Sequence, residues 1–346
     1  MPDDFRQLLI RLAEGETLSQ NQMEACFDHI MEGAASPTQM AAFVTALKRR
    51  GETPADIAAG ASVLRRRAVT IKADDATIDI VGTGGDGVGT WNISSTAALV
   101  VAGAGIPVAK HGNRAVSSRS GAADVLTALG INLDCPMTSV QQALTEAGIC
   151  FLMAPRHHSA MRHVGPVRAE LGFRTIFNML GPLSNPALVK RILVGVYDSR
   201  WLRPFAEALA TLGTSHALIV HGSDGLDEVT TTGKTEAVML RQGEITPMTL
   251  EPAMLGLPIA EPAALVGGTP EENAQALRGV LEGNTADATG RAYRDIVIFN
   301  AAAALFGSGH AETLGIAAEM AIASLDQGRA AAALENLIQI TNQEQA

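Results

Sequence analysis

Positive charge is in deficit in this chain. Lys and Arg number 26 against 36 Asp and Glu, a formal net charge of −10, and a nucleic-acid surface needs a basic face that this balance does not supply. An anionic small molecule is not excluded, because local donors can hold one. Cysteine is sparse too. Cys26, Cys135 and Cys150 have neither metal-type spacing nor a secretory context, and read as reduced, mostly buried thiols. No stretch reaches the roughly 20 consecutive apolar residues of a membrane span. The opening MPDDFRQLLIRLAEGE begins with acids and lacks the basic region and unbroken apolar core of a signal peptide. The expectation is a soluble, cytoplasmic protein with no membrane and no nucleic-acid partner. Charged residues are only 18% and apolar ones 47% of 346, enough for one large or two modest buried cores.

What the chain does have is concentrated in residues 78–121. Two loops rich in glycine and side-chain oxygen each follow a short apolar run, 78–81 and 106–109, with the apolar stretch 97–104 between them. The pattern predicts strand, loop, helix, strand, loop. In the first loop Gly82, Gly84, Gly85, Gly87 and Gly89 let the backbone turn through positive φ and bring its N–H groups to a ligand, an arrangement suited to phosphate. Asn92, Ser94, Ser95 and Thr96 follow, able to start a helix whose positive end faces the same ligand. The second loop runs from Lys110, His111, Gly112, Asn113 and Arg114 to Ser117, Ser118, Arg119, Ser120 and Gly121. It adds fixed positive charge and hydroxyls, so the pair of loops can hold more than one phosphate.

Two familiar nucleotide motifs fail here. Gly82, Gly84 and Gly87 match the spacing of the dinucleotide fingerprint, but the second strand ends in Lys110 rather than the acid that motif places about twenty residues on. A P-loop needs Lys and then Ser or Thr directly after its last glycine, whereas Val88 follows Gly87 and Thr90 follows Gly89.

Along the rest of the chain, residues 1 to about 70 read as helices only. Ser19 with Gln22 forms a capping box, Ser36-Pro37 opens a helix that Gly51 stops, and Thr53-Pro54 opens the next. From Ile78 onward β-type runs alternate with alanine-rich helical runs, which predicts a mixed α/β fold with strands at 78–81, 106–109, 149–153, 191–196, 216–221 and 237–240. The alternation lapses into helix-like segments between Pro155 and Asn185. After about Ile245 come proline-rich connections and then three helical runs, one of which, 291–306, is strongly apolar along one face.

Asp227-Glu228 follows a predicted strand. A lone acid pair is usually a solvated turn, but beside loops that can hold more than one phosphate it suits a Mg²⁺ ion, which prefers carboxylates together with phosphates. Arg168 opens a helix after Pro166, where its planar fork suits a carboxylate. His111, His157, His158 and His163 fit no zinc spacing and read as pocket-lining or structural, His111 excepted because it sits inside the phosphate loop.

GTGGD, then NIS, then KHGNRAVSS resembles the phosphoribosyl-diphosphate site of anthranilate phosphoribosyltransferases, tryptophan-pathway enzymes of the nucleoside-phosphorylase-like class. The likeness continues through MRHVGPVR (161–168), RTIFNMLGPL (174–183) and Asp227-Glu228, and so spans nearly the whole chain. It implies transfer of 5-phosphoribosyl from 5-phosphoribosyl 1-diphosphate to the amine of anthranilate, with positioning by Lys110, Asn113 and Arg168 in place of an acid or base. The diphosphate donor would lie against Gly82, Gly85, Asp86, Thr90, Asn92, Ile93, Ser94, Ser95, Lys110, His111, Gly112, Asn113, Arg114, Ala115, Val116, Ser117, Ser118 and Ala122. Anthranilate would meet Gly82, Asn113 and Arg168. Two Mg²⁺ ions would be held by Ser94, Asp227 and Glu228.

The likeness also implies an all-helical domain of residues 1–72, with about 165–190 packing back on it, and an α/β domain of residues 73–164 and 191–346. It further implies a homodimer through the helical domain. Ala122 departs from a usual serine, Trp91 from Phe or Tyr, and Ser95 from threonine, which bears on side chains rather than on the backbone frame. Two other readings remain at this point: a pyrimidine nucleoside phosphorylase of the same fold, and a non-catalytic relative that binds nucleic acid.

Overall fold

The computed structural model describes residues 4–85, 87, 89–114 and 120–343. Four helices open the chain: α1 (Phe5–Ala13), α2 (Gln20–Met31), α3 (Pro37–Arg50) and α4 (Pro54–Arg67). Ser19, Ser36 and Thr53 each accept from the backbone N–H three residues on, and Gln22, Gln39 and Asp56 return the bond. Gly51, at φ 95°, ends α3 as its position suggested. Arg66 and Arg67 reach Glu24, Asp28 and Glu32 at 2.7–2.9 Å. These pairs are partly exposed and stabilise little; the bundle is held by Leu8, Phe27, Ile30, Phe43, Leu47 and Ile57, all fully buried.

The chain continues with β1 (Ile78–Gly82), α5 (Ile93–Gly103), β2 (Val108–Gly112), α6 (Ala122–Ala128), α7 (Met137–Glu146) and β3 (Ile149–Met153). Short helices α8 (Ala154–His157), α9 (Gly165–Leu171) and α10 (Phe177–Leu180) follow, then β4 (Arg191–Gly195), α11 (Leu202–Thr211), β5 (His216–Gly222), β6 (Thr235–Arg241) and β7 (Glu244–Leu250). Helices α12 (Pro270–Leu281), α13 (Ala288–Gly307), α14 (Leu314–Asp326) and α15 (Arg329–Asn342) end it. Among the described residues the strands form one sheet in the order β3-β2-β1-β4-β5-β6-β7; the first five are parallel and β6 and β7 antiparallel.

Because side chains alternate across a strand, the central strands serve two cores. Leu193, Leu218, Val220, Ala237 and Met239 belong to the core built with α5, α13, α14 and α15. Ile192, Val194, Ala217, Ile219, Val238 and Leu240 face the other way and share a core with α11 and the four opening helices. Val167 of α9 and Phe177, Met179 and Leu180 of α10 join that second core, α9 against α3 and α10 against α4.

Four readings of the sequence need correction. β2 starts at Val108, because Pro107 has no N–H for the ladder, and it runs on through Lys110 and His111 to Gly112, so those two residues stand in a strand rather than a loop. β7 was not expected: its pattern is polar and half exposed, and it is joined to β6 by Gln242 and Gly243 at φ 50° and 90°, a two-residue hairpin turn. The chain ends in four helices, not three. Within the 291–306 run, 296–305 is buried on every side rather than one, since α13 lies between α5, α14 and the sheet, while Arg291 at its start is exposed. No helix of the described residues is long and apolar enough to cross a membrane.

Candidate active site

The site lies at the carboxyl ends of the parallel strands, where open α/β sheets leave their crevice. Beyond β1, Gly84, Gly85, Gly87 and Gly89 have φ of 69°, 75°, 80° and 69°, a conformation L side chains rarely adopt. Asp86 lies outside the described residues. The loop's exit is fastened: Gly267 N–H donates to Gly89 O at 2.9 Å, Trp91 N–H to Leu265 O at 3.1 Å, and Thr90 bridges Val266. Trp91 stacks on Tyr293 at 5.6 Å between ring centres, and the Tyr293 hydroxyl donates to Asn92 O at 3.2 Å.

Asn92 stands at the N-cap of α5 without capping it, and its Oδ1 is buried with no hydrogen-bond partner among the described residues. The N-terminus of α5 therefore keeps open donors beside the glycine loop. Ile93 is buried and gives its N–H to Trp91 O at 2.8 Å. Ser94 is half-buried and takes a hydrogen bond from Lys110 Nζ at 3.2 Å. Ser95 is turned into the core, its hydroxyl on a small interior cavity lined by Leu99, Lys110, Leu126 and Phe151. The helical turn that leaves Ser94 half-buried beside the loop buries its neighbour.

Lys110, expected in a loop against the phosphates, is 3% exposed in β2, and Nζ also donates to Ile80 O at 2.5 Å. Burial pushes its ammonium down, opposed by Asp79, Glu228 and Asp227. Asp79, fully buried on β1, accepts from His111 N–H at 3.1 Å and from Asn185 Nδ2 at 2.7 Å. Burial pushes its carboxyl up to about 6 against the pull of Lys110. His111 faces Gly181 O through Nδ1 at 3.1 Å and sits edge-on to His158, 5.2 Å between ring centres. Burial pushes His111 down to about 3 and His158 down to about 4.

Beyond β2, Gly112 packs against the Phe151 ring. Asn113 and Arg114 are exposed, and Arg114 pairs with Asp124 on α6 at 3.1 Å, just after Ala122. Ala115, Val116, Ser117 and Ser118 lie outside the described residues. Asp227 is 8% exposed, and its Oδ2 accepts from Gly84 N–H at 2.6 Å. It is seated on Gly82 and Gly195, register partners across β1 and β4; a Cβ on the first would overlap its carboxylate and on the second its backbone oxygen. Glu228 beside it is half-buried. Arg168 is half-buried on α9, its guanidinium pushed down by burial, with no ion pair among the described residues. The segment that carries it reaches the glycine loop through Arg174, which donates to Gly85 O and stacks on Tyr197 at 4.0 Å.

Asp79, Asn185 and Tyr293 were not singled out from the sequence, and Arg174 entered only as the first residue of RTIFNMLGPL. The available signal was polarity inside apolar runs, as in IDIV for Asp79.

A pH dependence follows from these buried groups. Histidine titrates near 6.5 in an unfolded chain, so between that value and about 3 or 4 the unfolded state binds more protons, and His111 and His158 remove stability as pH falls. Asp79 acts oppositely: with its folded pKa raised from 3.8 to about 6, it favours the folded state as pH falls through that window. The two histidine intervals are wider, so the melting temperature falls from pH 6.5 to pH 4. Asp79→Asn steepens that slope, read by thermal melts across the range; an unchanged slope would refute the assignment.

Comparison with known proteins fixes the class. Residues 6–68 match the Glycosyl transferase family, helical bundle domain, and residues 74–331 the Glycosyl transferase family, a/b domain. Among curated relatives, the anthranilate phosphoribosyltransferase of Parvibaculum lavamentivorans is 53% identical over 339 residues, covering 98% of both chains. The crystal structure of the enzyme from Thermus thermophilus superposes with a TM-score of 0.91 at 41% identity, over 97% of this chain and 99% of that one. The Saccharomyces cerevisiae enzyme in complex with PRPP and Mg gives 0.88 at 30% identity, over 97% of each. The chain belongs to the anthranilate phosphoribosyltransferase family.

Proposed function

We propose that this chain transfers the 5-phosphoribosyl group of 5-phosphoribosyl 1-diphosphate to the amine of anthranilate, giving N-(5-phosphoribosyl)anthranilate and diphosphate in tryptophan biosynthesis. The observation that carries the reading is the seat of Asp227 on the Gly84 N–H. A phosphate bound in the loop would be repelled by a carboxylate at that spot unless the two share a cation. Relatives of the same name at about half identity over nearly the whole chain favour this over phosphorolysis or a non-catalytic role.

The donor set fits Mg²⁺: two adjacent carboxylates and the Ser94 hydroxyl are hard oxygens, too few to enclose an ion and so leaving room for phosphate oxygens. Asp227, Glu228 and Ser94 would hold two ions. Bound Mg²⁺ neutralises charge that develops on the leaving diphosphate. The chain supplies the rest. The left-handed glycine backbone and the open start of α5 aim N–H groups at the phosphates, at no reorganisation cost during reaction. Lys110 orients the Ser94 hydroxyl and sets the field on both carboxylates. Asn113 and the Gly82 backbone meet the amine while Arg168 takes the acceptor's carboxylate in two hydrogen bonds. An arylamine is neutral at pH 7, so holding it in line with C1 replaces a general base.

We also assign residues 1–72, with about 165–190, to a helical unit and residues 73–164 and 191–346 to an α/β unit, supported by the shared core of α9, α10 and the opening helices. A homodimer through the helical unit would cover Ile10, exposed on α1.

The test is loss of anthranilate fluorescence with protein, 5-phosphoribosyl 1-diphosphate and Mg²⁺. Signal loss with all components and none with chelator is the expected result; loss without the donor would sink the reading. Arg168→Ala is expected to raise the acceptor's KM about tenfold or more, the loss of a charge-assisted pair, with the donor's KM unmoved.

A further inference from the structure

We propose that Asn300 is a positioning residue for the Asp227-Glu228 pair, a role that rests on the Mg²⁺ reading above and deepens it. Asn300 is a fully buried amide in the middle of α13, whose neighbours along the helix are Phe299, Ala301, Ala302, Ala303 and Ala304. Its Oδ1 accepts from Val229 N–H at 2.9 Å, and its Nδ2 donates to Val229 O at 2.8 Å and to Ile296 O at 2.9 Å. One side chain thus grips both polar groups of a single residue, as a neighbouring strand would, in a segment that belongs to no strand.

The gripped residue follows Glu228 directly. Fixing the Val229 N–H fixes the peptide plane between the two residues, and with it the direction in which the Glu228 side chain leaves the backbone. On the other flank, Asp227 is held by Gly84 N–H and by the Gly82 and Gly195 seats. The carboxylates therefore stand between two pins, one on the phosphate-type loop and one on α13. Beyond Asn300's hold, Thr230 N–H goes to Thr235 Oγ1 at 3.0 Å, and Asp224 gathers the Thr230 and Thr232 hydroxyls at 2.5 and 2.6 Å, which keeps the next turn from relieving a loss at Val229. An amide in so apolar a place has no packing reason to be there, since an aliphatic side chain would fill it without desolvating polar atoms.

The test is Mn²⁺ binding to the full chain in the presence of inorganic diphosphate, followed by electron paramagnetic resonance, with transfer kinetics alongside. Partners that orient a metal's ligands are worth about 10- to 100-fold in metal affinity, and that weakening is expected for Asn300→Leu, with the acceptor's KM unmoved. Ile298→Ala, a core truncation on the same helix, is the control: it lowers the melting temperature and leaves Mn²⁺ affinity within about twofold. If Asn300→Leu does not fold, Asn300→Asp keeps the acceptor for Val229 N–H and loses the donor to Val229 O, and a weakening of Mn²⁺ binding is expected there too. Wild-type affinity in a folded Asn300 variant, or equal weakening in Ile298→Ala, overturns the proposal with the Mg²⁺ reading intact. A wild-type protein that binds no Mn²⁺ with diphosphate overturns both.

Discussion

Replacing Gly195 by alanine is expected to lower the transfer rate by about 100-fold or more, although residue 195 would touch no substrate. The new methyl would overlap the backbone oxygen of Asp227, which cannot swing aside as a side-chain tip can. Either β4 or the Asp227-Glu228 segment must then shift by the order of an ångström, and a misplacement of that size in a catalytic constellation costs about 100-fold. Overpacking of this kind also removes about 1–3 kcal/mol of stability. Gly82→Ala meets the carboxylate of Asp227 instead. That group can rotate, so the smaller stability loss is expected there, with the Gly84 hydrogen bond sacrificed. Steady-state rates at saturating substrate and thermal melts of both variants check the pair. A Gly195→Ala enzyme with the wild-type rate would mean that the carboxylates are not used.

The second large effect is expected at Lys110. Lys110→Met keeps the length and apolar body of the side chain and deletes a buried cation that acts on Asp79, Asp227 and Glu228. Removing one charge from a buried, mutually compensating set costs about 3–5 kcal/mol. The sign of its pH dependence is fixed by Asp79. Lys110 holds that carboxyl below where burial alone would put it, so without the lysine Asp79 titrates higher still and is neutral over a wider range. The stability gap between wild type and variant is therefore small near pH 5, where Asp79 takes a proton, and full near pH 8. Urea melts at the two pH values measure it. A gap independent of pH would show that Lys110 and Asp79 do not sense each other.

Much of this was legible in the residues. Helix starts carried by Ser19, Ser36 and Thr53 are local chemistry, and local chemistry survives folding. So did the glycine loop, because left-handed backbone at Gly84, Gly85, Gly87 and Gly89 leaves few other residue choices. What was missed depends on partners distant in sequence. Lys110 and His111 look like loop residues until Asp79, the Ile80 carbonyl and Gly181 satisfy them inside the sheet. β7 shows no apolar face because its few apolar side chains are split between the two cores, Ile245 on one and Met248 and Leu250 on the other, and as an edge strand it tolerates Pro247. The same applies to Asn300, a single amide whose purpose is visible only once Val229 lies beside it. Ser94 and Ser95 share their chemistry but not their direction, and which of the two faces the loop is set by the turn of α5 rather than by residue type.

The two-sided use of the sheet bears on how this chain can be recombined with its relatives. A boundary near residue 70 is convenient in sequence, but α11 lies with the sheet on one side and α4 on the other, and Phe205 and Leu209 are buried between them. A chimera that took its first 70 residues from a cousin would have to match shapes along α4, α10 and α11, three stretches drawn from either side of the cut. A fragment starting after the cut would present α11 and Phe177 to water as a sticky plane. Because that core is shared across the cut, exchange between members of the family is expected to succeed more readily by loop than by a cut near residue 70.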